Sequence, residues 1–433
     1  MFKNKFFLTL SVVSLFISGC DKKKDPIQGN REPLLVESKG LIPSTFLKKL
    51  SIKLNGEIKN KSWSQSSGNS LNNSPNLYLP KNLVKKWSVS SPRGESYDTR
   101  ITANIVTSED KIFALDSHGQ LFAFSYDGKE MWKKNTSVEG KYDETLGGGI
   151  AFSNENVIVA TSFGNVNSYN SKTGEKIWSA CVKSPCRVSP TINSGKVYVV
   201  TVNNEIICLD ESTGKVLWSH VGIVEPSSLL GGASPAVNSN VVVVAYSSGE
   251  VYALNPENGY EIWSYTVTAP LRYDTVSSIA HIRARPIIYG NNVFVISHGG
   301  RMVCIDLETG MGKYQKNIGG IRTPVINENV LYMLTNENDI VAIDSRSFDI
   351  YWSKKLKTSD ENNKNIRYAG PVIAGGNLII TSTDGNVYMV NPRNGKIVNS
   401  IKVGESISLS PIISNSMLLT MTSSGKIFAY SSK

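Results

Sequence analysis

Three observations predict an all-β protein, an eight-bladed β-propeller with four antiparallel strands in each blade. A Gly-x-x-x-Trp step recurs with a period of about 40–50 residues, which is the range of propeller blades. Each repeat divides into four short segments rich in β-branched and aromatic residues, with Gly, Asn and Asp between them. A lone outer-strand segment precedes the first repeat, and the last repeat lacks that strand.

The repeated step is written clearly in CLDESTGKVLWS, residues 208–219. Its glycine supplies the positive φ that a tight hairpin requires, and its tryptophan follows on the outermost strand, where it can lie between adjacent blades. Three repeats depart from the pattern, with Tyr314 or Asn399 in place of the tryptophan and Phe348 in place of the glycine. The interblade position is assigned to Trp87, Trp132, Trp178, Trp218, Trp263 and Trp352.

The ring is expected to close by joining the two ends of the sequence. Ser410–Tyr430 has the pattern of three strands without a fourth, and Leu83–Ser90 is an isolated outer strand. Trp87 of that strand precedes Trp132 by 45 residues, which is one period. Together the two pieces make the eighth blade and leave no free ring edge, whereas an open solenoid would need polar caps at both ends. The propeller is therefore predicted over residues 63–433.

The N-terminus has the pattern of a targeting segment. Basic residues precede the apolar stretch 6–17, which is too short to span a bilayer. The ISGC that follows resembles the lipobox of bacterial lipoproteins, which implies removal of residues 1–19 and acylation of Cys20. Several acyl chains anchor a protein stably to a membrane. Residues 20–62 are predicted to be the lipidated N-terminus and a flexible tether, although an ordinary secretory signal with an incidental Cys20 is the alternative.

Four further cysteines raise the question of disulfides, which an oxidising periplasm permits. Cys208 and Cys304 fall at a slot that other repeats fill with alanine, so we expect buried free thiols. Cys181 and Cys186 flank a short loop, and both a disulfide and two free thiols are open at this point. Such a small ring would contribute only about 2 kcal/mol.

The chain also resembles the BamB family, the lipoproteins of outer-membrane β-barrel assembly. The resemblance rests on the lipobox, the eight repeats and three segments: KSWSQSSGNSLNNSPN (61–76) before the first strand, and HIRARPII (281–288) and SHGGRMVCID (297–306) in the fifth blade. These three are similar to the alphaproteobacterial members. The resemblance implies a non-catalytic scaffold at the periplasmic face of the outer membrane. Asp21 leaves retention at the inner membrane open.

In this family, two neighbouring interblade loops bind the periplasmic POTRA region of BamA. The resemblance implies apolar contacts from Leu229 and Leu230, beside Gly231. Leu230 stands where enterobacterial members have arginine, and two basic residues stand where they have an acidic pair. Interblade packing of the leucines and a plain surface role for the basic pair are the alternatives. The polar residues assigned to this contact are Arg272, Asp274, His281 and Arg283.

The sequence also bears on other partners and on catalysis. Other lipoproteins of the assembly complex, and unfolded outer-membrane proteins pairing with an outer strand by β-augmentation, are further expected partners. A quinone-dependent dehydrogenase with the same repeat is the alternative, but the four histidines show no metal-ligand spacing. The net charge is +10, but no run of basic residues is interleaved with aromatic residues in the way that binding of single-stranded nucleic acid requires. No cofactor, metal or nucleic acid is predicted.

Overall fold

The computed structural model describes residues 41–47, 50–136, 147–225, 230–267, 281–360 and 364–433. Within these ranges, thirty-two strands form eight separate four-stranded antiparallel sheets, which confirms the predicted eight-bladed propeller. Within the described ranges no helix is long and apolar enough to cross a membrane.

Strands β2–β29 form the first seven blades in simple chain order, with four consecutive strands in each. Blades 1 to 3 have the following strands: Val106–Thr107, Lys111–Leu115, Gln120–Ser125 and Glu130–Asn135 (β2–β5); Gly148–Ser153, Asn156–Thr161, Asn165–Asn170 and Lys176–Cys181 (β6–β9); Thr191–Asn193, Lys196–Val200, Glu205–Asp210 and Val216–Val221 (β10–β13). Blades 4 and 5 comprise Ala236–Val237, Val242–Ala245, Glu250–Leu254 and Glu261–Thr266 (β14–β17), then Ile287–Tyr289, Asn292–Ile296, Met302–Asp306 and Gly312–Lys316 (β18–β21). Blades 6 and 7 comprise Val325–Asn327, Val330–Leu334, Asp339–Asp344 and Ile350–Lys355 (β22–β25), then Tyr368–Ala374, Asn377–Ser382, Asn386–Val390 and Ile397–Lys402 (β26–β29).

The eighth blade closes the ring as the sequence predicts. It combines Ile412–Ser414, Met417–Met421 and Ile427–Ser431 (β30–β32) with the N-terminal strand Val84–Val89 (β1), in the order β1-β32-β31-β30. The β1 strand pairs antiparallel with β32, and Trp87 lies opposite Ala429. The N-terminal strand β1 therefore completes the sheet that the C-terminal strands β30–β32 form.

Burial follows the position of each strand in its blade. In blade 3, Val197–Val200 of β11 and Ile206–Leu209 of β12 are buried without interruption, because both faces of a middle strand pack against neighbouring blades. The outer strand β13 instead alternates, and Trp218 is its buried aromatic residue between exposed neighbours. First strands of adjacent blades contact each other around the axis. The core thus consists of apolar layers between blades.

Six of the seven tryptophans each cross a blade-to-blade seam at the outer rim. Each indole Nε1 donates a hydrogen bond to a backbone carbonyl in the next blade's last hairpin, and each ring lies against the glycine of that hairpin. The donor and acceptor pairs, at 2.7–3.1 Å, are Trp87–Tyr126, Trp132–Ser171, Trp178–Glu211, Trp218–Pro256, Trp263–Leu307 and Trp352–Pro392. The glycines are Gly128, Gly174, Gly214, Gly259, Gly310 and Gly395.

The departures from the repeat occur together at two other seams. Tyr314 of blade 5 faces Phe348 of blade 6, with 6.1 Å between ring centroids. Phe348 occupies the glycine position of its hairpin with a φ of 61°, so the larger residue fills space that a tryptophan takes elsewhere. Asn399 of blade 7 precedes a blade whose outer strand, β1, is not joined to β32 by a hairpin. Each loss of a tryptophan thus coincides with the loss of the glycine turn that it would cover.

The segment before β1 corrects the predicted flexible tether over residues 20–62, because its described part packs on the propeller. Ile52 is buried in the layer between blades 6 and 7, and the Ser44 backbone N–H donates to the Ile350 carbonyl. Residues 55–77, here called the N-terminal belt, then hydrogen-bond to all eight blades around the axis. The bonded pairs are Asn55–Asn327, Asn60–Ile413, Trp63–Thr107, Ser64–Phe152, Gln65–Ile192, Ser70–Val237, Leu71–Ile288, Asn73–Ile326 and Leu77–Ile373.

Candidate functional site

The candidate site lies at the axial mouth of the propeller, where the chain enters the first strand of each blade. The entering segments surround a cavity of about 480 Å³. Six arginines line this cavity and Glu95 is its only acidic lining residue among the described residues. The arginines are Arg100, Arg187, Arg283, Arg285, Arg322 and Arg367.

Burial and mutual repulsion both act on the arginines of blades 5 to 7. Burial first, and then the charges of Arg283, Arg285 and Arg367, lower the pKa of Arg322 to about 9. Burial and the charge of Arg283 likewise lower the pKa of Arg285 to about 10. The pKa of Arg283 is lowered in the same direction by burial and by Arg367. These guanidinium groups therefore form one positively charged wall.

Arg285 lies at the inner end of the cavity, against the N-terminal belt. Its guanidinium donates hydrogen bonds to the Ser66 hydroxyl, to the Ser67 hydroxyl at 3.4 Å and to the Thr323 hydroxyl at 3.3 Å. Arg322 is held from another side, because its Nε donates to the Tyr368 carbonyl at 3.0 Å. The belt and the blade entries together orient these charges toward the axis.

The two interblade loops assigned to the partner contact meet at this mouth. Gly231 precedes the first strand of blade 4 and Arg283 precedes that of blade 5. A Cβ atom placed on Gly231 would lie 3.0 Å from Arg283 Nε, so the two loops are in direct contact. Leu230 lines the same cavity beside them. Leu229, Arg272 and Asp274 lie outside the described residues.

His281 is placed differently from the expectation. Its side chain is only 2 % exposed, which corrects its assignment to an exposed partner contact. Burial, together with the charges of Arg283 and His298, lowers its pKa to about 4, so the imidazole is neutral near pH 7. Its backbone carbonyl accepts a hydrogen bond from the His298 N–H at 2.9 Å, which ties this loop to the fifth blade.

The described cysteines are all free thiols. Cys181 is exposed at the end of β9, whereas Cys186 is buried between blades 2 and 3 with its pKa raised to about 12 by burial. The disulfide between them, which the sequence left open, is therefore not formed. Cys208 and Cys304 are buried, as the sequence predicts. Cys20 and Asp21 lie outside the described residues.

A quinone-dependent enzyme would need a calcium ion held by acidic ligands beside a base in such a cavity. No group of three or more His, Cys, Asp or Glu residues in the described ranges is arranged to hold a metal ion. Glu95 accepts a hydrogen bond from the Ile101 N–H, and burial raises its pKa. The described lining does not fit that centre, and we derive no redox step from it.

Sequence reasoning missed the arginine wall because its members occupy different slots of the repeat. When the blades are aligned on the proline that opens the first strand, Arg187 and Arg283 stand three residues before that proline. Arg322 stands two residues before it, and Arg285 stands one residue before it. The usable signal was the R-x-x-P and R-P spacing at the blade entries, because the blade entries converge on one axis when the ring closes.

The fold and this mouth define the class: an eight-bladed propeller whose blade entries form a polar axial site. Within that class, the chain belongs to the family described as "Outer membrane protein assembly factor BamB", whose sequence model matches residues 117–354 and 319–433. A family member from Yersinia pestis is 26% identical over 357 residues, covering 80% of this chain and 88% of the relative. An uncharacterized protein of Rickettsia prowazekii (strain Madrid E) is 27% identical over 374 residues, covering 81% and 89% respectively. That relative supports the alphaproteobacterial type.

Solved structures support the same fold. BamB from Moraxella catarrhalis superposes with a TM-score of 0.69 at 18% identity, covering 81% of this chain and all of that one (100%). A europium-containing methanol dehydrogenase gives a TM-score of 0.67 at 11% identity, covering 86% of this chain and 98% of that one. At these identities the likeness concerns the propeller alone, and the sequence match distinguishes the family.

Proposed function

We propose that this protein is a non-catalytic scaffold in the assembly of outer-membrane β-barrel proteins, and that it binds the periplasmic POTRA region of BamA. Family membership supports the assembly role, because the matching family model and the relative from Yersinia pestis are both named outer membrane protein assembly factor BamB. The closed ring suits a scaffold, since it has no free ring edge and presents loops from several blades on one rigid rim.

The observation that carries the POTRA contact is the adjacency of the two loops at the axial mouth. Leu230 and Gly231 come from the entry to blade 4, and Arg283 comes from the entry to blade 5. An apolar residue beside a basic one offers a mixed surface, in which a charged rim steers association and an apolar centre holds the partner. Leu229, Arg272 and Asp274 are proposed to extend this surface. Because Arg283 replaces an acidic residue, the partner should present a carboxylate there.

Purified POTRA domains from the same organism's BamA test this contact directly. Leu230→Asp should weaken binding about tenfold or more in calorimetry, because the apolar anchor of the contact becomes a charged group. Leu217→Asp is the matched control, since Leu217 is an exposed leucine on the outer strand of blade 3. Equal affinity of the two variants and the native protein would reject this surface. Absence of any POTRA binding by the native protein would reject the scaffold partnership.

The anchoring proposal needs a separate test. We propose acylation of Cys20 and attachment at the periplasmic face of the outer membrane, where other lipoproteins of the assembly complex and unfolded barrel proteins would be further partners. Membrane fractionation of native protein and Cys20→Ser should show the native protein in the outer membrane and the variant released. Recovery of the native protein in the inner membrane would instead favour retention through Asp21, and equal fractionation of both would reject the lipid anchor.

A further inference from the structure

The arginine wall of the axial cavity is more than the partner contact requires. We propose that this cavity is a binding site for a small multivalent anion that carries carboxylate or phosphate groups. Such a site goes beyond the proposed function, because Arg187, Arg285 and Arg322 are not part of the proposed partner surface, whose Leu230 and Arg283 line the same cavity.

The chain breaks its own repeat to place charge on the axis. The residue before the entry proline is serine in three blades, and Ser234 Oγ there donates to the Ser189 carbonyl at 2.8 Å. Blade 5 has Arg285 at that slot, directly before Pro286. A serine satisfies the local backbone without bringing a charge into the core, so stability alone does not favour the arginine.

The charges of the wall form no direct ion pair within the described residues. None of the guanidinium groups of Arg187, Arg283, Arg285, Arg322 and Arg367 forms an ion pair with a carboxylate in the described part of the chain. The Nε atoms of Arg187 and Arg285 are buried and have no hydrogen-bond partner among the described residues. A buried cation without a partner is costly, and each unused donor is available to an acceptor from outside.

The chemistry of the donors selects the kind of anion. A guanidinium is planar and presents its N–H groups as a fork that matches two oxygens of a carboxylate or phosphate. Because Arg322 experiences the charges of Arg283, Arg285 and Arg367, a single anion between them would relieve several repulsions at once. A ligand with two or more anionic groups fits this arrangement better than chloride, which cannot accept a forked pair of hydrogen bonds at two oxygens.

The size and access of the cavity limit the ligand further. A cavity of about 480 Å³ is of the size that takes a small organic ligand. The belt lies behind Arg285, with its Ser66 and Ser67 hydroxyls on the guanidinium, so the inner end is bounded by protein. A compact anion entering from the mouth therefore suits the cavity better than an extended acidic peptide, which would need an exit.

Isothermal calorimetry on the full propeller tests the site with citrate and pyrophosphate at low millimolar concentration and constant ionic strength. Saturable binding of either is expected, and the comparison between them distinguishes carboxylate from phosphate ligands. Arg322→Gln and Arg187→Gln should each weaken binding about tenfold or more, because a charged donor fork is lost. Arg393→Gln, at an exposed hairpin of blade 7, should leave binding unchanged.

Thermal melts separate binding at the site from general salt stabilisation and from misfolding of a variant. Citrate and phosphate stabilise proteins generally by exclusion from the surface, so part of the rise in Tm that either anion causes does not report binding. The part that does is the rise that is present in the native protein and in Arg393→Gln but absent from Arg187→Gln. If Arg322→Gln does not melt cooperatively, Arg187→Gln carries the test. No saturable binding of either anion, equal binding by all variants, or binding of a hexaglutamate peptide without binding of citrate or pyrophosphate would overturn the proposal.

Discussion

The outer seams and the axial mouth are built from the same eightfold repeat, but the seams are alike from blade to blade and the mouth positions differ. At the outer rim, six seams repeat one device, a tryptophan of one blade on a glycine turn of the next. At the axis, the equivalent entry slots differ from blade to blade, with serine, glycine or arginine at corresponding positions. The difference indicates that the repeated residues at the rim serve stability, whereas the residues that vary between blades at the mouth serve recognition.

The exceptions at the rim strengthen this view. Tyr314 and Phe348 depart from the pattern as a pair, so the seam stays filled. The arginines of the mouth depart without such compensation, since none is balanced by a described carboxylate on the axis other than Glu95. Substitutions at the rim should therefore change stability, and substitutions at the mouth should change binding or the response to pH.

The largest expected effect is at a rim tryptophan. Trp218→Ala should lower the free energy of unfolding by about 3–5 kcal/mol, because a buried ring is lost and leaves a cavity. Trp218 is 8 % exposed, and its Nε1 donates to the Pro256 carbonyl across the seam at 3.0 Å. Denaturant unfolding followed by fluorescence and circular dichroism measures the change.

The neighbouring Leu217 supplies the control for this prediction. It is 45 % exposed on the same strand, so Leu217→Ala should change the unfolding free energy by less than about 1 kcal/mol. A similar loss for both variants would mean that the strand, and not the seam, determines the stability.

The next effect comes from the glycine side of a seam. Gly214 has a φ of +72°, and a Cβ there would lie 2.4 Å from the Trp178 ring. Gly214→Ala should cost about 2–4 kcal/mol, because left-handed strain adds to overpacking. Gly195 has a similar φ of +74° with nothing within 4 Å, so Gly195→Ala should show the strain of about 1–2 kcal/mol alone. Equal losses at the two sites would contradict a role for the ring contact.

The rim could be predicted from sequence because its information is local and repeated. A Gly-x-x-x-Trp step with the same spacing in several blades identifies both the hairpin and the outer strand, and the lone Leu83–Ser90 segment identifies the closure. The mouth could not be predicted in this way. Arg187 and Arg322 lie 135 residues apart and line one cavity only after the ring closes. The belt was missed because its polar side chains bond to strand edges and have no hydrophobic period.

The third effect contrasts acid sensitivity at the mouth and the rim. The pKa of buried His281 is lowered to about 4, so its native contribution is fully present above the unfolded value of about 6.5 and is lost as pH falls below it. The loss should reach about 2 kcal/mol near pH 5, and His281→Gln should reduce it. His220 on β13 also has its pKa lowered by burial, but it is only partly buried. His220→Gln should therefore change the pH dependence less, and unfolding measured between pH 7.5 and 5 would contradict this ranking if His220→Gln had the larger effect.

The smallest effect, and the sharpest test of the rim device, is a coupling energy at the irregular seam. Tyr314→Trp alone should overpack against Phe348, and Phe348→Gly alone should open a cavity where a 2 % exposed ring now packs. The double variant rebuilds the tryptophan-on-glycine arrangement of the other seams. Its loss of unfolding free energy should therefore be smaller than the sum of the single losses by about 1 kcal/mol. Phe348→Gly combined with Leu217→Ala, on a blade that does not border this seam, should be additive. If the losses of unfolding free energy at Tyr314 and Phe348 were also additive, the two residues would contribute to stability independently. The aromatic residue and the facing turn would then not act as a pair.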